Sequence, residues 1–447
     1  MTKGFRTFLF WFFLLAFAIG APAIALYAQG YRLNWPIESG KKLIVKTGGF
    51  FVKAHPKQIS VYVNGKMEKQ TDFFFDSALI TDLMPRRHLI EIKKNGYQSW
   101  SKNLEIREKE VAEAKNVFLF PEELKFSAVE QNIADFLISN DRQKTALIYQ
   151  DEIGWGVKLH DIRRGVTTKL AAQNNFSLKD PEFAGWEWIS AQTLEVATKS
   201  KTGAESYLIA TDKIPPQIIK KPAADMVPTA TATSTQEIKE LATAEINGAT
   251  YFLASDGMIY KKENGAKDAA PAGKAKIDIA GGSDADYDLW QFGDYFFVRA
   301  GDQLLSAKKD AAAFEKILDD APQGIKIAPN GKKIVYWSNS EIWVFYLENK
   351  TDPPAARAGD KIFIARFSEK ITACDWFNSD YLIFLSGDLV KTAEIDPRDK
   401  INFADLGRIS AIAQEEKNDD AKMFFDQSKK IVYLLANNTL RKSDPIE

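Results

Sequence analysis

Residues able to do chemistry are sparse in this sequence. Three histidines (His55, His88 and His160) and one cysteine, Cys374, are spread over 447 residues. His55 and His88 are 33 residues apart with no third ligand at short spacing, so a zinc site built on them lacks its ligand set. His160 is alone in the rest of the chain, which leaves a Ser-His-Asp triad or a histidine-rich metal centre short of material. Cys374 falls in the apolar run Ile371 to Phe377 and reads as a small buried hydrophobe, the alternative being a reactive thiol. As the only cysteine, it excludes an intramolecular disulfide and a cysteine-based zinc site. Asp284, Asp286 and Asp288 have the spacing that opens a calcium loop, but Leu289 and Tyr295 stand where the glycine and closing glutamate belong. Gly281-Gly282 follows no strand and is a turn signal, not a phosphate loop. A glycosidase-like carboxylate pair cannot be picked out among 60 acidic residues. Trp155, Trp186 and Trp290 have rings that would stack on a glycan or peptide, although core packing is the commoner use. The expectation is no catalytic residue, no metal and no cofactor, with the ligand-binding residues unassigned.

The composition describes what must carry such a surface. Apolar residues make up 45% and aromatics 12%, a folding composition rich in the side chains that pack on pleated strands. The net charge of −1 gives no basic excess for nucleic acid.

Residues 7–28 form an uncharged apolar stretch, TFLFWFFLLAFAIGAPAIALYA. As a helix of 22 residues it spans about 33 Å, enough for a bilayer core. Trp11 stands near one end and Tyr27, Tyr31 and Trp35 near the other, where amphipathic rings prefer the interface. The run is too long for a typical signal-peptide core, although Ala23-Ile24-Ala25 resembles a cleavage site. An uncleaved single-pass signal anchor is expected: residues 1–6 as a cytoplasmic head, 7–28 in the cell membrane and 29–41 as a linker. Lys3 and Arg6 favour a cytoplasmic head, while Arg32, Lys41 and Lys42 follow the helix on the other side. Most of the chain is then extracytoplasmic, since large domains translocate largely regardless of charge.

From residue 42 to 121 the pattern becomes short alternating runs. Leu43-Ile44-Val45 and Phe50-Phe51-Val52 read as strands broken by Gly48-Gly49. Ile59 to Val63 ends in Asn64-Gly65, a strong hairpin signal, and His88 to Lys93 ends at Asn95-Gly96. Val111 to Phe120 supplies a last strand, making about five in a small sandwich. The residues Gly49-Phe50-Phe51-Val52-Lys53-Ala54-His55-Pro56, Val61 to Lys66, Leu83-Met84-Pro85, His88 and Lys93 to Trp100 resemble a PEGA domain. The eponymous four residues fall at Pro56-Lys57-Gln58-Ile59, where only Pro56 fits, and the usual Pro-Gly turn is Pro85-Arg86. The resemblance implies a small β-sandwich of bacterial and archaeal surface proteins that binds or spaces its neighbours, with no catalytic residues.

Beyond residue 122, groups of short strands recur about every 40 residues. They centre on 134–159, 186–209, 249–260, 288–305, 325–346, 371–395 and 423–440. No such group can bury its apolar face alone, and this period is what a β-propeller requires. Ala328-Pro329-Asn330-Gly331-Lys332-Lys333-Ile334-Val335-Tyr336-Trp337-Ser338 resembles the turn-and-strand repeat of TolB-like propellers, with Asn330 in the usual Asp position. Degenerate echoes begin at Asn140 and Asp426. Residues 220–236 and 261–276 read as loops between blades. The expected fold is all-β: a transmembrane helix, a PEGA-type sandwich, then a propeller of about seven blades over 122–447. Its expected function is binding or scaffolding at the cell envelope, with the lipid bilayer and a protein, peptide or glycan as partners. The alternatives are a propeller enzyme acting on polysaccharide or peptide, and a purely structural spacer.

Overall fold

The computed structural model describes residues 3–33, 44–213, 215–222, 239–246, 248–266, 268–279, 286–410 and 421–447. Helix α1 (Lys3–Ala28) begins before the apolar stretch, so Lys3 and Arg6 lie in its first turns. It is long and apolar enough to cross a membrane, and among the described residues nothing buries it. Gly30, at φ +83°, ends it. The next strand, Tyr31–Leu33, pairs with Ile44–Lys46 and returns the chain to the sandwich. Arg32 fixes this corner: its guanidinium lies 3.6 Å from the Tyr27 ring centroid, donates to the Tyr27 carbonyl and pairs with Asp82 at 2.8 Å. Of the expected linker, residues 34–41 lie outside the described residues.

The sandwich has two sheets. One runs Lys66–Gln70, Ser60–Val63, Arg87–Lys93, Trp100–Glu105 in spatial order. The other places Gly48–His55 between Ser77–Leu83, antiparallel, and Val111–Phe118, parallel. Period-two alternation puts Phe50, Val52, Val61, Ile90, Ile92 and Trp100 into one core. Two expectations need correction. The sandwich has seven strands where about five were expected: the strand expected at 43–45 lies in the separate pairing of Ile44–Lys46 with Tyr31–Leu33, and Lys66–Gln70, Ser77–Leu83 and Trp100–Glu105 carry polar or irregular patterns that hid them. The break between the strands Ile44–Lys46 and Gly48–His55 falls at Thr47, so Gly48 and Gly49 open the second strand instead of separating the two. A Cβ on Gly48 would sit 2.2 Å from the Arg107 carbonyl oxygen, so the glycine permits close backbone approach.

Among the described residues, the region after 122 forms seven four-stranded antiparallel sheets, the blades of a propeller. They occupy 133–172, 182–220, 240–271, 287–318, 324–366 and 371–408 as blades 1 to 6. Blade 7 is 422–443 completed by Phe126–Gln131, whose pairing with Thr439–Ser443 closes the ring from the opposite end of the repeat region. Middle strands such as Tyr381–Ser386 are buried along their whole length, because neighbouring blades cover both faces. The outer strands, such as Lys361–Arg366, alternate or are exposed, which is why the sequence showed only two or three strands per unit. Indole donors stitch blades together: Trp188 Nε1 to the Leu137 carbonyl at 3.1 Å, and Trp376 Nε1 to the Lys326 carbonyl at 3.0 Å. In the Asn330-Gly331 turn, Gly331 takes φ +71° and the Asn330 side chain accepts from the Lys332 amide. The expected loop 261–276 is corrected by the end of strand Ile259–Glu263 and the short strand Ala270–Pro271. The expected loop 220–236 begins in strand Gln217–Lys220, and its residues 223–236 lie outside the described residues.

Candidate binding cleft at the joint

Trp100, Lys102 and Leu104 alternate inward on the edge strand of the four-stranded sheet, which faces blade 6. Lys102 is fully buried. Its three donors are met by the carbonyls of Asp396 and Arg398 at 2.8 Å and Lys400 at 2.5 Å, with the Glu394 carboxylate at 2.6 Å. Glu394 also accepts from Trp100 Nε1 at 2.7 Å and from the Asn402 side chain and backbone. Burial pushes the Glu394 carboxyl up, against the pull of Lys102, Trp100 and Asn402. Burial would also raise Asp396, but the Arg398 guanidinium and Lys102 bring it below the ordinary carboxylate value. Arg398 chelates Asp396 and reaches back to the Glu113 carbonyl at 2.9 Å.

Apolar contacts complete the joint. Phe118 and Phe120 of the sandwich side meet Phe377 at 4.7 and 5.0 Å between ring centroids. The buried Tyr381 hydroxyl accepts from the Phe118 amide at 3.0 Å. Gln98 exchanges two hydrogen bonds with the Asp405 backbone, and Asn103 donates to Asp399. Backbone donors on the sandwich edge are thus taken up by the propeller.

Beside this joint lies a cavity of about 210 Å³, walled by Ala114–Val117 of the sandwich, 350–354 of blade 5 and 394–398 of blade 6. Trp100, Tyr346, Lys350, Asp352 and Asp380 line it. Behind Asp380 sits a second buried lysine, Lys333, 3.6 Å from that carboxylate and close to the Tyr346 and Trp376 rings. Burial lowers the Lys333 pKa, with Asp380 opposing. A mixed-charge, aromatic-walled recess of this kind suits hydrogen bonding to a polar chain such as a peptide or sugar.

A second cluster braces the propeller centrally. Asp375 of blade 6 accepts from Arg142 of blade 1 at 2.5 Å and Lys326 of blade 5 at 2.8 Å, and Arg142 also donates to the Phe425 carbonyl of blade 7. Neither cluster was legible in the sequence, where Lys102 and Asp375 are single charges among many in strand-like runs.

The residues singled out from the sequence stand apart. His55 is exposed and stacks on Phe118. His88 is buried, with Nε2 against the Met84 carbonyl and Nδ1 against the Asn64 amide, so it supports the hairpin. His160 is buried in blade 1, with Nδ1 on Thr167 and no partner for Nε2. Cys374 is buried, and its thiol pKa is pushed far up by burial. Asp286 and Asp288 pair with Arg299 at 2.7 and 2.5 Å, while Asp284 and Gly281-Gly282 lie outside the described residues. Trp155 is buried and donates to the Pro181 carbonyl, Trp186 packs edge-on to Phe183, and Trp290 joins the core between blades 4 and 5. Among the described residues, no three His, Cys, Asp or Glu side chains converge as a metal site would need.

No family model matches the chain, and no curated protein matches it. Similar solved structures include YCF48 from Cyanidioschyzon merolae, at 12% identity and a TM-score of 0.39, covering 72% of this chain and 98% of that one. YCF48 bound to D1 peptide matches at 11% identity and 0.38, covering 72% and 95%. Kluyveromyces lactis Hsv2p matches at 10% and 0.30, covering 81% and 94%. At these scores the likeness adds nothing to what the strand pairings show.

Proposed function

We propose that this chain is a non-catalytic, membrane-anchored protein of the cell envelope. In this reading α1 is a single-pass anchor, the sandwich is a PEGA-type stalk, and the propeller is held outside the membrane to bind a protein, peptide or glycan. The observation that carries the reading is the joint at Lys102. A lysine enclosed by a carboxylate and three carbonyls from another domain makes the stalk and propeller one unit, so the cleft beside it keeps its shape. The uncovered apolar helix supports tethering, and the mixed-charge lining supports recognition of a polar chain.

The test is made on intact cells and on the purified full-length protein. External protease is expected to digest everything beyond α1, and an alkaline wash to leave the helix in the membrane. Protection of the propeller would reverse the topology. Arrayed peptides and glycans are expected to retain the wild-type protein and to lose the Lys350→Glu, Asp352→Lys double variant. Equal retention of both would move the binding site away from the cleft.

A further inference from the structure

Three consecutive phenylalanines form the most exposed aromatic cluster of the sandwich. Phe73, Phe74 and Phe75 are 69%, 78% and 65% exposed. They are held out by a built turn. The Asp72 carboxylate accepts from the Phe74 and Phe75 amides at 2.8 and 3.0 Å, and the Phe73 and Phe74 rings meet edge-on. Lys57 lies 5.9 Å from the Phe73 ring centroid and donates to the Phe74 carbonyl. Keeping three such rings in water is costly, so the turn is shaped for a surface that covers it.

The sheet behind the turn leads to the helix. Ser77–Leu83 runs from the phenylalanines to Asp82, the partner of Arg32 at the end of α1, a span of about 20 Å at strand rise. Between the two points the sheet turns Phe51, Leu79 and Val111 outward; Leu79 lies opposite Phe51, and Val111 opposite Gly49. Leu79 and Val111 are 45% and 49% exposed. The ion pairs Lys53–Asp76 and Lys115–Glu113 flank this band. Charge is divided as well: residues 44–121 carry 13 Lys and Arg against 9 Asp and Glu, whereas residues 122–447 carry 41 against 50. A basic module with exposed aromatics, joined to an apolar helix, matches an anionic lipid surface, where rings insert at the headgroup level and lysines meet phosphates.

We propose that Phe73–Phe75 and the outward face leading to them form a second membrane contact, laying the sandwich on the anionic leaflet into which α1 inserts. This rests on α1 being an anchor. The contact would add a second fixed point, beyond the Arg32 corner, for the tilt of the propeller over the membrane.

The full chain is placed in phosphatidylcholine nanodiscs, with and without phosphatidylglycerol, carrying an environment-sensitive dye at Phe74→Cys or at Asn330→Cys on the propeller. The buried native Cys374 stays unlabelled. The dye at 74 is expected to shift to the blue and to resist aqueous iodide severalfold in the anionic discs, while the dye at 330 stays fully quenchable. Equal quenching at both positions in both discs would overturn the proposal. So would equal protection in amphipol, which means self-burial, or protection only in native membranes, which means a protein partner. If α1 fails to integrate, vesicle flotation still decides. Flotation of wild type but not of a Phe73→Ser, Phe74→Ser, Phe75→Ser variant keeps the lipid contact, and identical behaviour of the two rejects it.

Discussion

Burial and neighbouring charge pull against each other at single residues: burial prevails at Glu394 and His160, and the charges of Arg398 and Lys102 prevail at Asp396. His160 is a buried imidazole whose pKa is lowered first by desolvation and then by Lys442. Its folded value lies below the unfolded one, near 6.5, so the stability it contributes is complete above that value. It is lost as pH falls from the unfolded value towards the folded one. Lowering pH from about 7.5 to about 5 should therefore depress the melting temperature by a few degrees more in wild type than in His160→Gln. Identical slopes in thermal melts would show that His160 titrates as it does in the unfolded chain. His55, also lowered by burial first, should leave a smaller residual dependence in the variant. None of this was visible in a sequence where a lone histidine in a strand says nothing about its ring nitrogens.

At the scale of elements, the sequence displayed apolar middle strands and hid polar edges. Tyr381–Ser386 and Ile431–Ala436 announce themselves as continuous apolar runs, which is why seven units could be counted. Gln217–Lys220 and Lys66–Gln70 are strands because a neighbour offers them a ladder, and their side chains record almost nothing of it. The cleft was illegible for the same reason: it is made where Trp100–Glu105 meets residues about 300 positions later, as in the Trp100–Glu394 hydrogen bond. This pairing of elements makes a sharp prediction. Lys102→Ala strands the Glu394 carboxylate in a buried site and should cost about 3–5 kcal/mol in chemical denaturation. Lys102→Met with Glu394→Leu removes both charges and should recover much of that loss, less the cost of the Trp100 indole and the two Asn402 donors that Glu394 no longer accepts from. If the double variant proved as unstable as the single one, the joint would owe its strength to packing and not to ion pairing.

At the scale of the whole molecule, the ring is closed by a strand that comes from the sandwich side. Phe126–Gln131 completes blade 7 through five register pairs with Thr439–Ser443, interrupted by one bulge. Removing residues 126–131 leaves the Thr439–Ser443 edge open and Val129 absent from the core that joins blades 1 and 7. Such a deletion should lower the melting temperature of the full chain and expose blade 7 first, read as loss of amide protection across 422–443. Uniform protection after the deletion would mean that closure is made elsewhere. The same arrangement has a mechanical side. If α1 is a membrane anchor, a pull on the propeller reaches it by two routes, the bonded joint at Lys102 and the Phe126–Gln131 ladder. The fastening that shuts the ring then shares that load with the joint beside it.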